Sequence, residues 1–369
     1  VPERARLTDA VTEAVDDRQG PTAVSLGVVR CGSAPSVVAA GVLGSLGPAG
    51  GEGSAGPDTR FDLASVSKIV TTLAIMRLRA TGALDLDIPV RSVLPAFRGG
   101  AKDAVTVRGL LRHRAGLWEW WPLYAHAEDG PAVLGDPAAA VARAASLPLR
   151  YRPDSGRHYS DLGFQLLGAV VAAVHGSDLP TAVASLVAGP LGLTRTGYGP
   201  LEDAADVAVT SHGDAWERQM IATGRPYPVP VRAVPDSRTH WLQGEVNDGN
   251  AHHAFGGAAG HAGIFSTAGD TARLGAVMFG EHPLWPPPVV QEFSAAGPDP
   301  EQALGWRRGE EAGVVILGHP GFTGTEVSVA PSRGVAWSLL TNRLHPTSTP
   351  IDVSTLRTRM ARLVLSEQN

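Results

Sequence analysis

Two residues three positions apart carry the most chemistry in this chain. Ser65 stands at the entry to an apolar run that includes Ile69, Val70 and Leu73, and Lys68 follows it by three. Side chains three apart share a helix face, so the hydroxyl and the amine can meet there. A serine at a helix N-terminus also lies among free N–H groups and the positive end of the dipole, which favour a developing oxyanion. The pair is a candidate nucleophile and base. The spacing also arises by chance, and Ser65 or Ser67 can serve as a helix cap. Lysine usage argues for chemistry: the chain has only two lysines, Lys68 and Lys102, among 31 basic residues. A guanidinium cannot be deprotonated in a protein, whereas a buried amine can.

Other residues invite a functional reading. Tyr159-Ser160-Asp161 precedes a strongly apolar stretch, with Asp161 expected as the N-cap of its helix. His319-Pro320-Gly321-Phe322-Thr323-Gly324-Thr325 lies between two β-rich stretches and reads locally as a turn. Trp118, Trp120, Trp121 and Tyr124 crowd an irregular stretch, where they fit core packing or the wall of an acyl or ring pocket. Of 12 histidines the best metal cluster is His252, His253 and His261. No carboxylate accompanies it at His-Glu-x-x-His spacing, so neither metal nor cofactor is expected.

The elements that must position these residues follow from pattern. Residues 3–18 place Leu7, Val11 and Val15 at helical spacing. Residues 22–30 and 36–43 are β-rich and read as a hairpin, followed by a polar, glycine-rich loop over 44–57. A short strand over 59–63 feeds the Ser65 helix, which runs to about Ala80. Helices are expected over 105–114, 136–145, 161–175, 179–188 and 268–279. Residues 199–255 resist assignment, and a loop of that length in a compact protein is usually a lid or wall. Strands return over 313–317, 326–330 and 335–341, and 351–366 form an amphipathic helix. The fold class is therefore α/β (α+β): an antiparallel sheet flanked by helices and built from both termini, residues 1–84 and 300–369. A mostly helical domain, 85–299, is inserted into it, and a cleft between the two is the natural site.

Bulk properties bound the function. The 369 residues are 43% hydrophobic and 18% charged, ordinary for a soluble globular protein. A net charge of -5 without a basic run excludes nucleic acid as an expected partner. The longest apolar run, near residues 164–174, is too short and glycine-interrupted to span a bilayer. No signal peptide is present in the chain, which points to the cytoplasm, with a processed secreted form as the alternative that an initial Val leaves open. Cys31, the single cysteine, excludes an intramolecular disulfide.

Taken in order, the Ser65-x-x-Lys68, Tyr159-Ser160-Asp161 and His319-Pro320-Gly321 boxes resemble those of the serine β-lactamase / penicillin-binding-protein superfamily. The likeness is to the class C β-lactamase-like branch, with its serine esterases, D-aminopeptidase-type enzymes and acyltransferases. Residues 105–117, 159–168, 245–251 and 260–274 resemble that branch too, so the similarity spans about 22–342.

The resemblance implies a covalent acyl-enzyme. Ser65 would attack a small ester or amide, with Lys68 and Tyr159 as shared general base and acid. The N–H groups of Ser65 and Phe322 would form the oxyanion hole. Asp161, in the place of the family's Asn, would lie near Lys68 or the substrate, where it could hold Lys68 charged or lower affinity for anionic substrates. Asp161, His319, Gly321 and the Trp118–Tyr124 aromatics are the expected substrate contacts. His319 and Pro320 replace the family's Lys and Thr and weaken recognition of anionic β-lactams. The lead expectation is a serine hydrolase of the esterase type. The alternatives are transfer of the acyl group to an amine or alcohol, and an inactive binding domain.

Overall fold

The computed structural model describes residues 2–44, 53–235, 237–346 and 349–366. Six strands make the main sheet: β1 (Ala23–Arg30), β2 (Ser36–Gly41), β3 (Arg307–Glu311), β4 (Val314–Pro320), β5 (Glu326–Ala330) and β6 (Val335–Thr341). They run in the order β2-β1-β6-β5-β4-β3, each antiparallel to its neighbours. The sheet is therefore drawn from both ends of the chain, as its β-rich stretches imply. β3 was not expected, because Arg-Arg-Gly-Glu-Glu has no apolar alternation; it lies at the sheet edge, where charge is tolerated and guards against stray pairing. The loop expected over 44–57 lies mainly outside the described residues.

Period-two alternation decides what covers each face. Val24, Leu26 and Val28 of β1 join Trp337 and Leu339 of β6 beneath two terminal helices. These are α1 (Pro2–Asp16), contributing Leu7 and Val11, and a C-terminal helix over Ser354–Ser366 contributing Met360 and Val364. On the opposite face, Ser338 of β6 donates its hydroxyl proton to the Ala268 carbonyl at 2.6 Å. That carbonyl opens the helix Ala268–Ala276, which packs over β1, β5 and β6.

In the chain, between the strands contributed by its two ends, lie α2 (Ser67–Ala80) and α3 (Asp161–His175), which pack on each other. Both are buried nearly all round. In α3, Leu162, Phe164, Leu166, Leu167, Val170 and Val171 are all in the core. Fully burying one such side chain is worth about 1.5–3 kcal/mol, so these two helices are a rigid platform. The N-cap of α3 is Ser160 rather than Asp161: the Ser160 hydroxyl oxygen accepts from the Gly163 N–H at 3.1 Å. Asp161, one residue later, is free to point elsewhere. The helix expected over 105–114 is shorter, Val107–Leu111, with Thr106 as its cap.

The segment 258–263 threads between α2 and α3. A Cβ on Gly260 would lie 2.1 Å from the Phe164 carbonyl oxygen and 2.7 Å from the Gly168 nitrogen, so only glycine fits this approach. Thr71 of α2 donates to the Gly260 carbonyl at 2.7 Å. Among the described residues no single helix is long and apolar enough to cross a membrane; α3 and Leu179–Ala188 reach that length only as a pair bent by 76°.

Candidate active site

The chain reaches Ser65 through a forced turn. Ala64 sits at φ +46°, an uncommon conformation for a residue with a side chain. Asp62 holds it there: one carboxylate oxygen accepts from the Ala64 N–H at 2.8 Å and the other from the Asn247 N–H at 2.6 Å. The Asp62 carboxyl is buried, which pushes its pKa up to about 6 despite those two donors. A short 3-10 turn, Ala64–Val66, then leads into α2. From the other side, the Thr323 hydroxyl donates to the Asp62 carbonyl at 2.7 Å and the Thr325 hydroxyl to the Leu63 carbonyl at 2.9 Å. These bonds tie the turn after β4 to the strand before Ser65, and so bring Phe322 beside the serine.

Lys68 is wholly buried in the first turn of α2. Its Nζ donates to Ser65 Oγ at 2.9 Å and to the His261 carbonyl at 3.3 Å. It also lies 2.7 Å from the Asp161 carboxylate and 5.0 Å from the centre of the Tyr159 ring. Burial is the largest influence on the amine and pushes its pKa down. The Asp161 carboxylate and then Tyr159 outweigh it together, so Lys68 is held above the ordinary lysine value. This reverses the expectation that burial alone would free the amine. The Tyr159 phenol is also raised, by burial first, with the Lys68 charge opposing. At rest the pair is a protonated amine beside a neutral phenol.

Ser65, Tyr159 and Asp161 open on one cavity of about 320 Å³. Its walls include residues that the sequence did not single out, Trp216 and Glu217 from the helix Ala215–Thr223 and Tyr227 beyond it, together with Asn247 and Asp248 of the 245–251 segment. All belong to the unassigned stretch 199–255, which is a wall as its length suggested. A buried Asp–Arg ion pair and two Asp–His contacts hold that wall. Asp214 pairs with Arg238 at 2.5 Å and with His253 at 3.0 Å, and Asp248 pairs with His261 at 3.0 Å. Glu217 accepts from the Tyr124 hydroxyl at 2.5 Å and from the Gly249 N–H at 2.7 Å. Burial, then the nearby Asp248 charge, pushes the Glu217 carboxyl well above its ordinary value.

Of the expected substrate contacts, Asp161 and Trp120 line the cavity and the others do not. Trp121 is a core residue meeting Trp118 edge-to-face, with ring centres 4.9 Å apart. Trp118 donates its indole N–H to the Pro148 carbonyl and lies under the Arg150 guanidinium. Tyr124 stands behind the wall, bonded to Glu217. Gly321 closes its turn through a 2.7 Å bond from its N–H to the Thr325 carbonyl. His319 belongs to the end of β4 rather than to the turn, and is buried against the Tyr159 ring, 5.8 Å between centres. Burial, followed by the Lys68 and Arg307 charges, pushes it well below the ordinary histidine pKa, so it is a neutral imidazole. His113, also not anticipated, accepts from the Ser160 N–H at 3.0 Å and packs on Tyr159 at 4.6 Å. The His252, His253 and His261 cluster does not converge, since His253 turns to Asp214 and His261 to Asp248. Asp161, Asp248 and His261 do bring ligand-type atoms within 4.8 Å of one another, and there the Lys68 amine is the cation paired with Asp161.

A family model described as Beta-lactamase matches residues 7–358. The chain is 32% identical over 312 residues to the N-acetylmuramyl-L-alanine amidase of Bacillus subtilis (strain 168), covering 78% of this chain and 68% of that one. It is 30% identical over 313 residues to a putative D-alanyl-D-alanine carboxypeptidase of Escherichia coli (strain K12), covering 78% and 70%. Among solved structures, a class C beta lactamase from Rhodobacter sphaeroides matches with a TM-score of 0.67 over 99% of each chain; at 20% identity this likeness is one of fold.

Proposed function

The chain belongs to the Beta-lactamase family, and on that premise we propose that it is a serine acyl hydrolase acting on a small ester or amide. The observation that carries the reading is the 2.9 Å bond between Lys68 Nζ and Ser65 Oγ at the edge of a cavity that also holds Tyr159. Both curated relatives bear the names of enzymes that cleave amides, which favours an amide within the substrate range.

In this reading Ser65 Oγ attacks the carbonyl carbon and its proton passes to the Lys68–Tyr159 pair. The pair must first release one of its own protons, because it rests fully protonated. The N–H groups of Ser65 and Phe322 donate to the tetrahedral oxyanion. The pair then returns a proton to the leaving amine or alcohol, and water releases the acyl group by the reverse sequence. Transfer to an amine or alcohol would use the same intermediate and differ only in the acceptor. A neutral, buried His319 offers no charge to an anionic donor, so β-lactams are poor substrates here.

Intact-protein mass spectrometry after exposure to a fluorophosphonate tests the nucleophile. One adduct on the wild-type protein, absent in Ser65→Ala, is the expected result. An adduct that persists in the alanine variant rules the mechanism out.

A further inference from the structure

The cavity at Ser65 has an unusual charge balance. Four carboxyl-bearing side chains line it, Asp161, Asp214, Glu217 and Asp248, and no lysine or arginine does. Three of the four have a basic partner inside the protein: Lys68 for Asp161, Arg238 and His253 for Asp214, and His261 for Asp248. Glu217 differs. Its two oxygens accept from neutral donors only, the Tyr124 hydroxyl and the Gly249 N–H, and among the described residues no basic side chain pairs with it. A carboxylate can accept about four hydrogen bonds, so capacity is left for a charged donor arriving through the cavity.

The surroundings of Glu217 suit a cation. Trp120, Trp216 and Tyr227 line the same cavity, and Trp120 and Tyr227 lie nearly parallel with ring centres 6.4 Å apart. Aromatic faces attract ammonium groups, more strongly when water is excluded. The wall is also built to place this carboxyl closely. A Cβ on Gly249 would come within 2.2 Å of Glu217 Oε2, so the backbone approaches it as nearly as glycine allows.

Resting on the acyl-enzyme reading, we propose that the acyl donor carries an ammonium group, which Glu217 binds as its counter-ion between the aromatic walls. The ammonium is a recognition group and stays protonated; it is not the attacking amine. Arrival of a cation draws Glu217 to its carboxylate form, opposing the burial that otherwise holds it protonated. A donor bearing a carboxylate in place of the ammonium meets Glu217 with no cavity-lining lysine or arginine to hold it.

The test has a turnover arm and a binding arm. In the first, wild-type protein is given the p-nitrophenyl ester of phenylalanine and that of 3-phenylpropionate, which lacks only the amine, and each kcat/KM is divided by that ester's own hydroxide-catalysed rate constant, because an α-ammonium activates the carbonyl. The expected result is a normalised kcat/KM at least about tenfold higher for the ammonium ester. In the second, calorimetry on Ser65→Ala compares benzylamine with benzyl alcohol. Benzylamine should bind more tightly, and adding Glu217→Gln should weaken it by roughly tenfold. Equal normalised turnover of the two esters together with equal binding of amine and alcohol overturns the proposal, even if Ser65 is acylated by both. Benzylamine binding that needs Glu217, in a protein whose Ser65 takes no acyl group, sustains the cation site and removes the acyl-enzyme reading. The wild-type comparison stands whether or not the Glu217→Gln chain folds.

Discussion

Lys68 Nζ lies 2.7 Å from the carboxylate of Asp161, with the amine wholly buried. Together with Tyr159, this carboxylate outweighs the effect of burial and holds the amine above the ordinary lysine value. In the proposed mechanism, Asp161 therefore helps set the pH at which the Lys68–Tyr159 pair can accept the proton of Ser65. Wild-type acylation should rise on the alkaline side of neutrality. In Asp161→Asn, burial acts on Lys68 without its largest opponent, so the amine's pKa falls and the rising limb moves to lower pH. A pre-steady-state pH profile of acylation measures this, and a limb that stays put or moves upward contradicts it.

Lys68→Arg should be nearly as damaging as Lys68→Ala. A guanidinium keeps the charge opposite Asp161 but cannot act as a base, so both variants lose roughly 10²–10⁴-fold in acylation rate. Single-turnover kinetics with an activated ester separates this from a binding defect. An arginine variant within about tenfold of wild type would remove the proton-transfer role.

The buried pair of Asp214 and Arg238 should carry much of the stability of the cavity wall. Their side chains are 4% and 6% exposed, and Arg238 also donates to the Val246 carbonyl. Removing one partner leaves an uncompensated buried charge, so Arg238→Met should cost about 3–5 kcal/mol of unfolding free energy. His253 and Arg238 hold the Asp214 carboxyl well below its ordinary pKa against the effect of burial. For such a depressed group the stabilisation is full above the unfolded value, about pH 4, and is lost as pH falls toward the folded one. Urea midpoints between neutral and acid pH should therefore drop less steeply for Asp214→Asn than for the wild-type protein.

What was legible in the sequence depended on whether the information was local. Ser65, in the 3-10 turn, and Lys68, in the first turn of α2, are three residues apart, and helical spacing alone implied that they meet. The terminal strands were legible because buried strands alternate or run continuously apolar. β3 was not, because an edge strand can be wholly polar. Tyr159 came only from its family box, since 91 residues of chain give no spacing rule that joins it to Lys68. The wall was hidden for a related reason. Asp214 meets Arg238 and His253, and Glu217 meets Tyr124, across irregular backbone that has no period to read. Asp161 was placed as a cap because Asp and Ser compete for that role; Ser160 takes it, and the carboxylate is left for Lys68. The aromatic stretch at Trp118 shows the converse. Large rings in a loop suggested a pocket, yet only Trp120 reaches it, since Trp121 is in the core and Trp118 is stacked under Arg150.

The pairing of β1 with β6 sets residue 24 opposite residue 341. A ribosome therefore releases the first strand of the sheet long before the strand that completes its pairing exists. Contacts so distant in sequence form late. The same holds for Thr323 and Thr325, whose hydroxyls clamp the peptide carbonyls of Asp62 and Leu63 just ahead of the serine. A nascent chain thus carries Ser65 and Lys68 without the clamp that shapes the turn between them and the sheet. The approach to Ser65 is thus fixed by residues synthesised more than 250 positions after it.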